Sequence, residues 1–215
     1  MSALRQKNTN FFSEKFDFST FSALLDDFRK SIKRIEYNKE MEVVAEVFQK
    51  QQAVTRANCN KPVLATFGIG PCISIVGYEP ISMIGFLTHY DSLTEIKESF
   101  TNLLIALYKA GAKEENEFQV RLVSNFNSIN KADLELIKIL LKHGTAFKMK
   151  LIEEDTRPSE TDLCKSIALD TRSGEVYSYD PSKNPFRDIN GIENVIMKAM
   201  FRAKAEFSYN PTNNK

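Results

Sequence analysis

Cys72 and His89 are the residues of this 215-residue chain whose types and placement could do nucleophilic chemistry. Cys72 closes the run Thr66-Phe67-Gly68-Ile69-Gly70-Pro71-Cys72 and opens the apolar stretch Ile73-Ser74-Ile75-Val76. Seventeen residues on, after the break at Glu79-Pro80 and a second apolar run, comes His89, one of two histidines. A thiol and an imidazole at the ends of neighbouring segments suit attack on an acyl carbon. An imidazole next to a thiol lowers its pKa and can later protonate a leaving group. On pattern alone, a cysteine beside an apolar strand is more often a small core residue, and a lone histidine more often a structural one.

The remaining chemistry is sparse. The three cysteines, Cys59, Cys72 and Cys164, are odd in number and far apart, so they form neither a disulfide framework nor a zinc pattern. Cys59 falls in a polar turn and reads as an exposed, inert thiol; Cys164 reads as packing at a strand entrance. His143 ends a helical pattern before Gly144, where a cation suits the carbonyl ends. Glu153-Glu154-Asp155 reads as part of a solvated loop. Gly68-Ile69-Gly70 is not a dinucleotide fingerprint, because no helix follows it directly. No metal or organic cofactor is expected.

Lys+Arg at 29 against Asp+Glu at 28 leave almost no net charge, which argues against a general nucleic-acid binder. No apolar run of about 18 residues is present, so no membrane span is expected. The polar N-terminus lacks a signal-peptide apolar region, which suggests a cytoplasmic protein, or one exported as an effector without a cleavable signal. Hydrophobic residues at 42% suit a globular fold.

The elements that must position the pair follow from periodicity. Phe21, Leu24, Leu25, Phe28, Ile32 and Ile35 predict a helix over 19–37. The phenylalanines at 11, 12, 16, 18 and 21 read as core rather than docking surface. Residues 41–48 lean towards strand through Val43, Val44 and Val47. Strand pieces are expected at 63–66 and 72–78, on either side of the Gly68/Gly70 bend, and at 82–89. Ser92 or Thr94 would cap a helix carrying Ile96, Phe100, Leu103, Leu104 and Leu107, ended by Ala110-Gly111. A strand over 117–125, a helix over 130–144, alternation over 146–152 and a charged loop over 153–160 follow. Segments 166–170 and 175–179 flank Thr171-Arg172-Ser173-Gly174 as a hairpin. A last helix is expected from Gly191 through about Phe207, then a loose tail. This order suggests a layered α/β or α+β domain.

The stretch from about Val63 to Tyr179 resembles the CheD family of chemoreceptor glutamine deamidases. The matching run is Thr66-Phe67-Gly68-Ile69-Gly70-Pro71-Cys72, then Tyr78-Glu79-Pro80, then Ile84-Gly85-Phe86-Leu87-Thr88-His89. The nucleophile arrangement is similar to that of cytotoxic-necrotizing-factor-type toxin deamidases. The resemblance implies an α+β fold, a CheD-like layered β-sheet sandwich with flanking helices, to which the chain's own pattern adds N- and C-terminal helices. It divides the chain into an N-terminal helical extension (1–40), a deamidase domain (41–184) and a C-terminal helix with a loose tail (185–215).

It also implies the roles. Cys72 attacks the side-chain carboxamide of a glutamine on a partner protein. His89 holds the thiolate as an ion pair, protonates the departing ammonia and activates water to split the thioester. Thr66 orients the imidazole. Gly68 and Gly70 let backbone approach the reacting centre, and the Cys72 N–H is the expected oxyanion donor, since Pro71 has none. Departures are Pro71 in place of a serine, Ser124-Asn125-Phe126 in place of a Gly-Gly-Ala turn, and a polar loop before the hairpin. These support a second reading, a family member whose chemistry is lost and whose fold binds a protein partner; a third is a transglutaminase-like effector with an amine replacing water. A regulatory protein partner is a further expectation from the family.

Overall fold

The computed structural model describes residues 43–125, 131–157, 164–183 and 203–211, all within the compact unit Glu36–Lys215. The helix expected over 19–37 and most of the one expected from Gly191 lie outside the described residues. Among the described residues the fold is mixed α and β and dominated by two sheets. Strands β1 (Val44–Glu46), β3 (Val63–Ile69), β8 (Lys165–Asp170) and β9 (Glu175–Ser178) form a four-stranded sheet in the order β1-β3-β8-β9. Strands β2 (Gln51–Arg56), β4 (Ile73–Glu79), β5 (Ile84–His89), β6 (Glu117–Ser124), β7 (Lys148–Asp155) and β10 (Glu206–Tyr209) form a six-stranded sheet in the order β10-β2-β5-β4-β6-β7. Helices α1 (Ile96–Lys109) and α2 (Lys131–His143) cover the outer face of the larger sheet.

The layering follows from which residues alternate. Val54, Ile73, Ile75, Phe86, Phe118, Val120 and Leu122 project from the six-stranded sheet into the core shared with the helices. From α1, Ile96, Phe100, Leu103 and Leu107 recur at helical spacing and meet them. On the opposite face Ala53, Val76, Tyr78 and Leu87 meet Leu64 and Leu169 of the smaller sheet. Strands β4 and β5 are thus buried on both faces, which is why their sequences run apolar without clean alternation. The β4–β5 turn is fixed by Glu79, whose carboxylate accepts from the Ile81 N–H at 3.0 Å and the Ser82 N–H at 2.7 Å.

Several expected elements take a different form. Glu153, Glu154 and Asp155 do not begin a loop; they extend β7 and pair with Arg121, Leu122 and Val123. Their charges are met there by Arg121, Lys138 and Lys165. Phe207 lies in β10, which runs parallel to β2, rather than in a terminal helix. Segment 51–56 carries no apolar alternation, yet it forms β2, nearly all buried. Its polar side chains are accommodated individually: Tyr90 donates its hydroxyl to Gln52 Oε1 at 2.6 Å, and Thr55 donates to the Lys61 carbonyl at 2.6 Å. Helix α1 starts after Glu95, and neither Ser92 nor Thr94 caps it; the Thr94 hydroxyl instead donates to Asp91 Oδ1 at 2.8 Å.

Candidate active site

The register of β4 and β5 brings the site together. Val76 lies opposite Leu87, and Ile73 opposite Tyr90, these two exchanging both backbone hydrogen bonds at 2.8 Å. The residues between and beyond them are therefore set as well. Ser74 stands directly opposite His89 in a non-hydrogen-bonded pair, the type in which side chains lie closest, and Cys72 stands opposite Asp91. Cys72 and His89 are diagonal neighbours on this ladder, about 7 Å apart at Cα. Like Val76 and Leu87, Ser74 and His89 face the space between the sheets.

Thr66 reaches that space from β3 of the opposing sheet. Its Oγ1 lies 2.8 Å from His89 Nδ1 and donates its hydrogen to the Val47 carbonyl at 2.6 Å. A hydroxyl has one hydrogen, and here it is committed to Val47. Thr66 must therefore accept from the ring, so Nδ1 carries the proton and Nε2 keeps its lone pair. The Thr66–His89 contact specifies the tautomer in which Nε2 holds the lone pair. Thr66 is wholly buried and His89 only 3% exposed.

Gly68 occupies a left-handed conformation, φ 73°, at the irregularity where β3 slips its register against β8 between Thr66 and Ile69. A Cβ there would meet nothing within 4 Å. Glycine is therefore needed at 68 for its backbone angle, not for the close approach expected of it. Gly70 sits at the following bend, and its carbonyl accepts from the Asn125 N–H at 3.3 Å. The bend turns the chain away from β3, so Cys72 enters β4 in the other sheet. Pro71 is exposed on its outside.

Electrostatics set the resting state. Burial pushes the Cys72 thiol up to about 12, with Asp91 and then Cys164 adding to the effect. Burial pushes His89 down to about 4, against the pull of Asp91 in the other direction. His89 Nε2 makes no hydrogen bond, and neither does Ser74 Oγ across from it. At neutral pH the pair is thus a protonated thiol and a neutral imidazole. The thiolate–imidazolium ion pair expected from sequence is not the resting form, because two charges would have to be sustained where little water reaches.

Residues outside the expected set complete the site. Asp91 is held by Gln49, which donates from Nε2 at 2.8 Å, and by the ammonium of Lys50 at 3.7 Å. Lys50 is 1% exposed and adopts φ 55°, a left-handed angle uncommon for a side chain of its kind. Its N–H donates to the His89 carbonyl at 2.7 Å, so the turn between β1 and β2 grips the histidine's own peptide. Asp91 two residues after His89 was the one visible signal; Lys50 and Gln49 carried none.

Cys164 is exposed rather than packed at a strand entrance, and Cys59 is partly exposed in its turn. His143 is the exposed last residue of α2, in the position expected of a helix-end cation. No helix among the described residues is long and apolar enough to cross a membrane. No known protein family matches the chain's sequence, and no curated protein matches it either.

Proposed function

We propose that this chain is a cysteine-dependent protein glutamine deamidase of CheD-like design, converting a glutamine side chain of a partner protein to glutamate. The observation that carries the reading is the Thr66–His89 contact, which leaves the lone pair of Nε2 without a hydrogen bond on β5, the strand paired with the one that Cys72 leads into. A carboxamide entering between Cys72 and His89 displaces remaining water. The thiol then passes its proton to Nε2 as sulfur attacks the carboxamide carbon, so neither charge persists in the resting site. The oxyanion forms against the Cys72 N–H. The imidazolium returns its proton to the amide nitrogen, ammonia leaves, and a thioester remains. His89 next takes a proton from water, whose oxygen attacks the thioester. The imidazolium gives that proton to the departing Cys72 sulfur, and the carboxylic acid formed releases the water's second proton to solvent, leaving a glutamate carboxylate. Neither step requires a metal or a redox partner.

A second reading, a binding module without chemistry, is favoured by Pro71, which removes one N–H from the bend, and by the high thiol pKa. One experiment separates the two. Ammonia release from glutamine-containing proteins, with the matching Gln-to-Glu mass change, is expected for the wild type and absent for Cys72→Ser. Equal, background release by both proteins would leave only the binding module.

A further inference from the structure

Four polar side chains share one face where β4 and β5 come to an end. Ile73 and Tyr90 exchange both backbone hydrogen bonds, and Tyr90 turns towards the helices. The pairs on either side of them, Ser74 with His89 and Cys72 with Asp91, therefore turn the other way, towards the smaller sheet. Asp91 is thus across from the thiol and two places along its own strand from the imidazole. Exposure rises from Ser74 at 0% through His89 at 3% to Cys72 at 5%, and the Asp91 side chain is 11% exposed. Pro71, Ser92 and Leu93, just beyond the ladder, are exposed. Asp91 is the charged group at the outer end of this row.

Its carboxylate is fixed by four contacts. Oδ1 accepts from the Leu93 N–H at 3.0 Å and the Thr94 hydroxyl at 2.8 Å. Any aspartate opening a turn ahead of a helix makes contacts of that kind. Oδ2 accepts from Gln49 Nε2 at 2.8 Å and has the Lys50 ammonium at 3.7 Å. These two come from the turn between β1 and β2, where Lys50 is buried in a left-handed conformation. A loop-opening aspartate has no need of them. Four contacts match the four acceptor sites of a carboxylate, so Asp91 offers a substrate no further hydrogen bond. It acts on Cys72 and His89 as a charge.

A fixed negative charge has the same sign of effect on both partners. It opposes a thiolate and favours an imidazolium. Both effects are felt: after burial, Asp91 adds most to the rise of the thiol, and it opposes the fall of the imidazole. At rest, the thiolate is what such a charge suppresses. On attack, the bond from sulfur to the carboxamide carbon forms, the thiol proton passes to Nε2, and the electron pair of the C=O bond moves onto its oxygen. Sulfur then carries no charge, while the imidazolium remains. The repulsion between Asp91 and sulfur ends, and the attraction to the ring persists.

We propose that Asp91 is a positioning residue of this site, a charge locked by Gln49 and Lys50 that keeps Cys72 a thiol until a carboxamide takes its attack and then steadies the His89 imidazolium. Its part in turnover rests on the deamidase reading; its hold on the thiol does not. Two other titratable groups enter the balance. Asp133 of α2 is raised first by its own burial and then by Asp91, and Cys164 adds to the rise of Cys72. Both stay in place when Asp91 alone is changed, so a comparison with the wild type isolates the Asp91 charge.

The test uses the full chain carrying Asp91→Asn, which keeps the shape and an acceptor for Leu93 and Thr94 but not the charge. Cys72 is alkylated with iodoacetamide without substrate, and the rate is followed by peptide mass mapping from about pH 7.5 to about pH 10.5. The variant should react about 10-fold faster than the wild type at each pH, and its rate should still climb about 10-fold per pH unit. A loosened structure would behave differently: an exposed thiol ionises as usual and its rate levels off above about pH 9. A variant curve that levels off there, or one that overlies the wild type, would overturn the proposal. Asp91→Ser, which can still close the turn, should give the same displacement and serves if the asparagine variant does not fold. In ammonia release from glutamine-containing proteins, Asp91→Asn should lose about 10-fold in kcat although its thiol is the more reactive. An unchanged kcat would overturn the part played in turnover. No release by the wild type would sink the deamidase reading, with the alkylation curves still deciding whether Asp91 holds the thiol.

Discussion

Acidification should weaken this protein through one buried ring, by an amount that can be worked out beforehand. His89 is held neutral, its pKa lowered from 6.5 to about 4 by burial. The unfolded chain therefore binds a proton on this side chain at a pH where the folded protein does not. The stability this contributes is fully present above pH 6.5, is lost as pH falls towards 4, and changes no further below that. The whole shift is worth about 3 kcal/mol, and between pH 7.5 and pH 4.5 the loss is about 2.5 kcal/mol. Carboxylates titrate in the same range, so the quantity to measure is a difference. Urea unfolding of the wild type and of His89→Gln at both pH values cancels the groups the two proteins share. The wild type should lose about 2.5 kcal/mol more than the variant. A gap between the two that stays constant with pH would refute the claim that burial keeps this ring neutral, and with it the account of the resting thiol.

Thr66→Val removes both the acceptor for Nδ1–H and the donor to Val47 while keeping the shape. It should cost about 100-fold in kcat/KM for ammonia release, with Thr66→Ser restoring most of it; equal rates in all three would remove Thr66 from the mechanism. In the absence of substrate, Cys72 should be alkylated more slowly by iodoacetamide at pH 7.5 than Cys164, since moving a thiol from 9.0 to about 12 leaves about a thousandfold less thiolate. Its rate should climb about 10-fold per pH unit up to about 11, as peptide mass mapping would show; rapid labelling at neutral pH would restore the ion pair. The same shift predicts stability lost as pH rises from 9 through 12, because the unfolded chain gives up the proton first. Gly77→Ala should destabilise the fold by about 1–3 kcal/mol in urea, because a Cβ there would lie 2.1 Å from the buried ring of Phe86.

The elements that carry Cys72 and His89 were readable because local signals dominate there. The Gly68/Gly70 bend, the Glu79-Pro80 break and the uninterrupted apolar runs all mark strand ends. Both described helices showed their apolar stripe and stopped at a glycine, as at Gly111 with φ 102°. What could not be read depends on partners distant in sequence. Strand β2 is polar because Tyr90 and the Lys61 carbonyl satisfy its side chains, and no window around 51–56 contains Tyr90. The acids of β7 look like loop until Arg121, Lys138 and Lys165 arrive from three other elements. The spacing of Cys72 and His89 could bring thiol and imidazole together, but not say that burial would keep both uncharged. Lys50 escaped because its ion pair with Asp91 shows only as two ordinary charges in the chain.

On the deamidase reading, the hydrogen bond from Thr66 to the Val47 carbonyl makes activity conditional on a main-chain atom just after the first strand. Were that segment to peel away, the threonine hydrogen would be free to swing towards the ring. The ring would then hold its own hydrogen on the far nitrogen and have nothing left with which to accept one from sulfur. The proposed reaction would stop with Cys72, His89 and Thr66 still in place, so on that reading a partner that does no more than tug on residues 44–47 could act as an off switch.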